Sequence, residues 1–322
     1  PVFFFQAEDG IPDFCLSRGL GDVYKRQGVG VAVVTPFDVN NNIDEKAIYT
    51  ISDYLLENKI SYVVIQGTTG ESSTLDKKEK IRVNKIFVKA FRNKIPLVLG
   101  LSSNNTLELC SQIKNTDLDG FEAIMSVCPY YNKPSQDGIY QHFIKISKVS
   151  PKPILLYNVP SRTGVNISNE TIINIFNDTN NIIGIKEASG DVNRIKELKS
   201  TLKETFLIIS GDDFTMIDSI RNGACGIISV AANLYPSLMI NTYNQLLFEK
   251  QNKNEIDSKL NDKNFILKNF IKLIFQESNP SGIKYAMSLL NLCTNRVRLP
   301  LTEVSKELKS EIFNFIKSFK NN

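Results

Sequence analysis

The stretch Ile182-Ile183-Gly184-Ile185-Lys186 is a short apolar run that ends in a lysine. Short runs rich in β-branched residues are typical of the buried strands of a parallel sheet. Burial disfavours the charged form of a lysine, so a neutral amine becomes available to attack a carbonyl carbon and form a Schiff base. The alternative is that Lys186 only ends the strand and extends its amine into solvent.

Two further predicted strands also end in polar side chains. Pro153-Ile154-Leu155-Leu156 leads into Tyr157, with Arg162 a few residues later, and Tyr62-Val63-Val64-Ile65-Gln66 leads into Gly67-Thr68-Thr69-Gly70. A tyrosine can transfer protons, and an arginine or a pair of hydroxyls can bind a carboxylate. In an α/β barrel the carboxyl ends of the strands form one rim, where the active site lies.

Apolar runs alternate with helical patterns along most of the chain, and this order predicts a (β/α)8 TIM barrel. Asp44 is a candidate N-cap, because Ile48, Ile51 and Leu55 follow it at helical spacing. The pattern after residue 248 is purely helical, so we predict a barrel over residues 28–248 and a C-terminal helical domain over residues 249–322. The eight predicted strands cover residues 29–35, 60–66, 95–100, 120–127, 153–157, 182–186, 206–210 and 225–230.

Residues 1–27 show neither a helical nor a strand period, and acids and Pro12 interrupt their apolar patch. They lack the basic start and the small-residue cleavage site of a signal peptide. The string resembles a translation of sequencing-adapter DNA, so we interpret it as a non-native leader. The alternative is a genuine N-terminal arm.

Composition excludes several classes of protein. The formal net charge is +4, and the basic residues alternate with acids, which does not favour a nucleic-acid partner; no apolar run approaches the length of a membrane span. Five cysteines without paired spacing favour a reducing, cytoplasmic location. His142 is the single histidine, which excludes a multi-histidine metal site, and its place on a predicted helix favours packing or solvent exposure over catalysis. We expect Asp212 and Asp213 to cap a helix, and Gly211 to be an ordinary turn glycine.

Six segments in order resemble the dihydrodipicolinate synthase family of pyruvate-dependent class I aldolases. The similarity runs from about Gly28 to the C-terminus, and a set in order is more specific than any single motif. The segments are GVGVAVVTPF from Gly28, GTTGESST from Gly67, PYYNKP from Pro129, YNVPSRTG from Tyr157, GIKEASG from Gly184 and GIISVAAN from Gly226.

The resemblance implies a reaction in lysine and diaminopimelate biosynthesis. It implies a lyase in which Lys186 forms a Schiff base with pyruvate and yields an enamine that condenses with L-aspartate 4-semialdehyde, giving 4-hydroxy-tetrahydrodipicolinate. It further implies that Tyr157, Thr68 and Tyr131 form a hydroxyl relay for protons. Each hydroxyl can accept one proton while it donates another, so no buried ion is needed. No cofactor is implied.

The resemblance also implies how the substrates and subunits are held. Thr69 matches a residue that binds the carboxylate of pyruvate, Arg162 one that binds the carboxylate of the semialdehyde, and Ile228 one whose main-chain carbonyl lies near the lysine. Tyr130 and Tyr131 should be exposed on a proline-flanked loop, and the family builds a homotetramer, a dimer of dimers, in which Tyr131 enters the neighbour's site.

Two alternatives stay open. N-acetylneuraminate lyase and the keto-deoxy-sugar-acid aldolases share the lysine, the tyrosine and the glycine-threonine motif, although Arg162 and Tyr131 favour the synthase. A protein of another class, a binder of pyruvate or sugar acids on the same barrel, would not be trapped by borohydride with pyruvate.

Overall fold

The structure is a computed structural model that describes residues 28–91, 93–252 and 258–320. Eight parallel strands form a closed barrel, in which each strand pairs with the next along the chain and the last pairs with the first. All eight predicted strands are confirmed, and the predicted leader lies outside the described residues. The strands are β1 Gly28–Ala32, β2 Tyr62–Ile65, β3 Leu97–Gly100, β4 Ala123–Val127, β5 Ile154–Asn158, β6 Ile182–Glu187, β7 Leu207–Ser210 and β8 Gly226–Ser229.

Helices connect the strands and cover the outside of the barrel. Asp44 caps the first of them as predicted, because its side chain accepts a hydrogen bond from the main-chain nitrogen of Ala47, while Ile48, Ile51 and Leu55 are buried. Between the strands lie α1 Glu45–Glu57, α2 Lys77–Phe91, α3 Thr106–Asn115, α4 Gln136–Ser147, α5 Pro160–Thr163, α6 Asn169–Asn177, α7 Val192–Thr201 and α8 Met216–Arg221. Single-turn 3₁₀ helices span Ser72–Thr74 and Ala231–Asn233.

The strands separate two apolar layers. Along β5, Leu155 and Tyr157 belong to a cluster inside the barrel, whereas Ile154 and Leu156 pack in the layer between strands and helices. This alternation follows from the two-residue period of a strand. Because both faces are buried, the strands are apolar almost throughout, and a polar side chain such as Lys186 is confined to a strand's carboxyl end.

Four helices follow the barrel: α9 Pro236–Asn252, α10 Ser258–Phe275, α11 Ser281–Ser288 and α12 Lys306–Lys320. Leu308, Ile312 and Ile316 form the buried stripe of α12. The predicted domain boundary after residue 248 falls inside α9, and the division into domains stays a prediction. In the part of the chain that the structure describes, no helix is long and apolar enough to cross a membrane.

The cysteines and the histidine of the described residues serve packing. Cys110 and Cys128 are buried free thiols, and Cys225 and Cys293 are partly buried free thiols. His142 is 3% exposed, contacts Phe143 edge-on, and its Nδ1 lies 2.9 Å from Thr106 Oγ1. Of the two roles that the sequence left open for His142, packing and solvent exposure, the structure shows packing.

Candidate active site

Lys186 lies inside the barrel near the carboxyl end of β6. It is in register with Tyr157 of β5 on one side and Ile209 of β7 on the other, and its side chain is only 5% exposed. Its Nζ atom is 4.4 Å from the centre of the Tyr157 ring. The strand register therefore brings together the two residues for which the sequence predicts proton transfer and Schiff-base formation.

Gly211 follows β7 and lies against the Lys186 side chain. A Cβ atom at this position would come within 2.8 Å of Lys186 Cγ and within 2.9 Å of Lys186 Cε. Contacts this short require one of the groups to move. The prediction that Gly211 is an ordinary turn glycine is therefore wrong, because the missing side chain makes room for the lysine.

Two adjoining cavities open at the carboxyl rim of the barrel. The inner cavity, of about 200 Å³, contains Lys186, and the outer one, of about 400 Å³, extends towards Tyr130 and Lys80. Both are concave and lined by a few convergent polar groups, as is typical of small-molecule sites. The residues that line both cavities are Gly67, Thr68, Met125, Tyr157, Val159, Arg162 and Asn279.

Thr68 and Thr69 lie in the turn after β2, and both line the inner cavity. Thr68 is exposed, whereas Thr69 is 2% exposed and its Oγ1 accepts a hydrogen bond of 3.0 Å from Asn279 Nδ2. Because that oxygen already acts as an acceptor, the hydroxyl proton of Thr69 is free to be donated to an anion. Asn279 is a site residue that the sequence interpretation missed, since no local pattern links it to Thr69.

Arg162 lies on the short helix α5 directly after β5. Its side chain is exposed at the rim and lines both cavities. Arg162 therefore borders the cavity that contains Lys186. This position suits a carboxylate on a second substrate, because the planar fork can donate two parallel hydrogen bonds to it.

The two tyrosines of the loop after β4 differ in position. Tyr130 is 38% exposed and lines the outer cavity, whereas Tyr131 is 87% exposed and lines neither of the two rim cavities. Tyr131 has a φ of 75°, in the left-handed region that a bulky residue rarely adopts. Within the described part of its own chain, Tyr131 is thus not brought to Lys186.

Of the residues around β8, Val230 lines the inner cavity together with Lys186. Ile228 is 1% exposed and its side chain belongs to the interior cluster with Ile209. Asp213 is buried, and its Oδ2 accepts hydrogen bonds from the main-chain nitrogens of Val230 (2.9 Å) and Ala231 (3.0 Å). Asp213 therefore caps the 3₁₀ helix after β8, and burial raises the pKa of its carboxyl group. Asp212 does not cap a helix, since the N-cap of α8 is Thr215, so the capping prediction is met by Asp213 alone.

Glu187 follows Lys186 but serves the turn after β6. Its side chain accepts hydrogen bonds from Asn158 Nδ2 at 3.0 Å, from the Ser189 nitrogen at 2.8 Å and from Arg194 Nε at 3.2 Å. The Glu187 side chain is 1% exposed and that of Arg194 is 11% exposed. This network fixes the turn that leaves the rim next to the lysine.

A closed parallel barrel with a buried lysine beside a tyrosine at its carboxyl rim is the arrangement of an enzyme that works through a Schiff base. The model of the dihydrodipicolinate synthetase family matches residues 25–319. A 4-hydroxy-tetrahydrodipicolinate synthase of Karelsulcia muelleri is 43% identical over 89% of this chain and 95% of its own length.

Comparison with solved structures indicates the same family. The chloride-inhibited dihydrodipicolinate synthase of Acinetobacter baumannii complexed with pyruvate is 35% identical, with a TM-score of 0.84 over 90% of this chain and 98% of that one. A monomeric dihydrodipicolinate synthase variant is 33% identical, with a TM-score of 0.86 over 92% of this chain and 97% of that one. The chain belongs to the dihydrodipicolinate synthetase family, and the sugar-acid lyase alternative is not favoured.

Proposed function

We propose that this lyase condenses pyruvate with L-aspartate 4-semialdehyde through a Schiff base on Lys186, giving 4-hydroxy-tetrahydrodipicolinate for lysine and diaminopimelate biosynthesis. The observation that carries the proposal is the position of Lys186, 5% exposed in a rim cavity of about 200 Å³ with Tyr157, Thr69 and Arg162. The names of the relatives support the same reaction. The chemistry requires neither a cofactor nor a metal ion, because the protonated imine itself withdraws electrons.

The first half of the reaction activates pyruvate. The amine of Lys186 attacks the keto carbon, water leaves, and the resulting imine loses a methyl proton to become an enamine. Thr69 binds the pyruvate carboxylate, since its hydroxyl oxygen accepts from Asn279 and its proton is free to be donated. The carbonyl of Ile228 completes the wall near the lysine.

Tyr157 transfers protons during these steps, together with Thr68 and Tyr131. The support for Tyr157 is its ring, whose centre is 4.4 Å from Lys186 Nζ. Thr68 lies next to Thr69 at the same rim and lines both cavities. A chain of hydroxyls passes protons between the substrate and solvent without a buried ion.

The second substrate enters from the outer cavity. Arg162 binds its carboxylate, and the enamine carbon attacks the aldehyde to form a carbon–carbon bond. The amino group of the condensed substrate then displaces Lys186 from the imine carbon. This step closes the ring and regenerates the free lysine.

Tyr131 completes the relay from a neighbouring subunit within a homotetramer that is a dimer of dimers. The support is its 87% exposure on a loop next to the outer cavity, because an aromatic ring on a stiff surface loop favours a partner that covers it. A cytoplasmic location is proposed on the free thiols Cys110, Cys128, Cys225 and Cys293, since an oxidising compartment favours disulfides.

Borohydride reduction in the presence of pyruvate tests the proposal. We expect one pyruvyl group, found by peptide mass spectrometry on Lys186, and no adduct in Lys186→Ala. Addition of L-aspartate 4-semialdehyde to the unreduced wild type should yield the cyclic product. Labelling of another lysine, or an adduct without cyclic product, would contradict the proposed function.

Arg162→Ala is the matched variant of this experiment. We expect pyruvate trapping close to that of the wild type but a loss of cyclic product of roughly tenfold or more, because a charge-assisted pair to the second substrate is removed. Equal loss of both signals would mean that Arg162 only maintains the site.

A further inference from the structure

The turn from Gln66 to Glu71, which carries Thr68 and Thr69, begins and ends with a strained residue. Gln66 has a φ of 54° and Glu71 a φ of 51°, both in the left-handed region although neither is glycine. Such a conformation costs on the order of 1–2 kcal/mol for a residue with a Cβ atom. It persists only where surrounding contacts hold it, so the contacts of these two side chains are informative.

Gln66 is held by helix α2. Its side chain is buried, and Nε2 donates to the Lys80 carbonyl oxygen at 2.9 Å and to Asn84 Oδ1. The start of the turn is therefore tied to the helix that follows it in sequence.

Glu71 is held by the C-terminal part of the chain. Its Oε1 accepts from Lys284 Nζ on α11, and its Oε2 accepts from the Arg298 main-chain nitrogen at 3.0 Å. Lys284 Nζ also donates to the Arg296 carbonyl oxygen at 2.9 Å and lies 4.2 Å from the centre of the Phe37 ring. Both side chains of the Glu71–Lys284 pair are 0% exposed.

Stability alone is a weak explanation for this pair. Removing two charges from water costs much of the free energy that their attraction returns. Proteins with apolar residues of similar size at such positions are often equally stable. What the pair does provide is direction, because the carboxylate has to satisfy both Lys284 and the Arg298 nitrogen, which restricts the main chain at Glu71.

The same C-terminal segment contacts the turn at a second place. Asn279, a few residues before Lys284, donates to Thr69 Oγ1 at 3.0 Å and lines both rim cavities. The segment thus contacts the hydroxyl that faces the cavity and also the strained residue two positions later. Both contacts restrict the conformation of the turn that carries Thr68 and Thr69.

We propose that Glu71 and Lys284 are positioning residues, whose buried ion pair holds the Thr68–Thr69 turn in the geometry that binds the pyruvate carboxylate. This inference rests on the proposed function. It assigns to the C-terminal helical segment a direct part in substrate affinity, through a pair that touches no substrate atom.

The test is the double variant Glu71→Gln with Lys284→Met, which removes both charges while keeping an acceptor for the Arg298 nitrogen. We expect a folded protein by circular dichroism. The pyruvate concentration for half-maximal borohydride trapping and the KM for pyruvate should both rise by roughly tenfold or more, the effect of weakening one hydrogen bond to a charged group. The KM for L-aspartate 4-semialdehyde should change by less than about twofold, since Arg162 is untouched.

The control is Arg296→Met, which removes the Arg296–Glu303 ion pair of the same segment, with side chains 46% and 31% exposed, and keeps the carbonyl that Lys284 uses. Its pyruvate dependence should equal that of the wild type. A double variant with unchanged pyruvate dependence would overturn the inference, whatever its melting temperature.

Should the double variant not fold, Glu71→Asp decides by the same two measurements, because it keeps both charges and shortens only the side chain that restricts the main chain at Glu71. If neither variant folds, the pair is a requirement of folding and the positioning role is wrong. The proposed function is judged separately, because its failure shows as a wild-type protein that pyruvate and borohydride do not label.

Discussion

At the scale of single residues, the site depends on a glycine next to the lysine, because glycine has no side chain. Gly211 leaves the space in which the Lys186 chain lies, and a Cβ atom there would stand 2.8 Å from Lys186 Cγ. In the proposed mechanism, a neighbour that displaces the lysine also displaces its amine from the carbonyl carbon of pyruvate. Small displacements of a reacting group are costly in rate, since reactivity depends on close approach and alignment.

We therefore expect Gly211→Ala to slow pyruvate trapping by roughly tenfold to a hundredfold, and also to lower the melting temperature, because the added Cβ atom would lie 2.8 Å from Ala188 Cβ as well. The measurement is the rate of adduct formation under borohydride. Gly138→Ala on α4 is the control, because a Cβ atom there comes no closer than 3.3 Å to Pro134. Trapping at the wild-type rate in Gly211→Ala would show that the lysine adapts without loss.

At the scale of elements, His142 of α4 joins two helices of the outer layer, since its Nδ1 lies 2.9 Å from Thr106 Oγ1 at the start of α3. Burial lowers the pKa of His142 to about 4. Between about pH 6.5 and this value the unfolded chain binds a proton that the folded chain does not. Stability should therefore fall as the pH decreases through that window and should not depend on His142 above it.

The difference is measurable because His142 is the single histidine of the chain. We expect urea unfolding to show that the wild type loses about 2 kcal/mol more than His142→Leu between about pH 7.5 and about pH 5. Because the carboxylates titrate in both proteins, their contribution to the pH dependence cancels when the wild type is compared with His142→Leu. Equal pH dependence in the two proteins would mean that the imidazole is protonated in the folded state.

At the scale of the whole molecule, the proposed relay needs a second subunit. Tyr131 is 87% exposed and lines neither rim cavity of its own chain. If Tyr131 enters the neighbour's site, a dimer of one Lys186→Ala and one Tyr131→Phe subunit has one site with both native residues. We expect each variant alone to be nearly inactive.

Co-assembly of the two variants should then restore about a quarter of the wild-type activity, because random pairing makes half of the dimers mixed, each with one complete site. The measurement is formation of cyclic product after the variants are mixed under conditions that exchange subunits. Mixing either variant with itself is the control. A mixture as inactive as its components would mean that Tyr131 serves its own chain.

The sequence by itself determined the barrel and most of its rim. Short continuous apolar runs, alternating with helical periods, located all eight strands, because this patterning is local and both faces of each strand are buried. The same strands ended in Tyr157 and Lys186, which the register then paired. A polar residue at the end of an apolar run can be recognised from the sequence alone, without knowing which strands lie beside it.

Only the tertiary structure decided what holds these residues in place. Asn279 meets Thr69 across 210 positions of the chain, and Lys284 meets Glu71 across 213. Neither contact can be predicted from a local sequence pattern, because the residues around each partner do not depend on a second partner so distant in the chain. The role of Gly211 likewise depends on the path of the Lys186 side chain, which exists only once β6 and β7 lie side by side in the closed barrel.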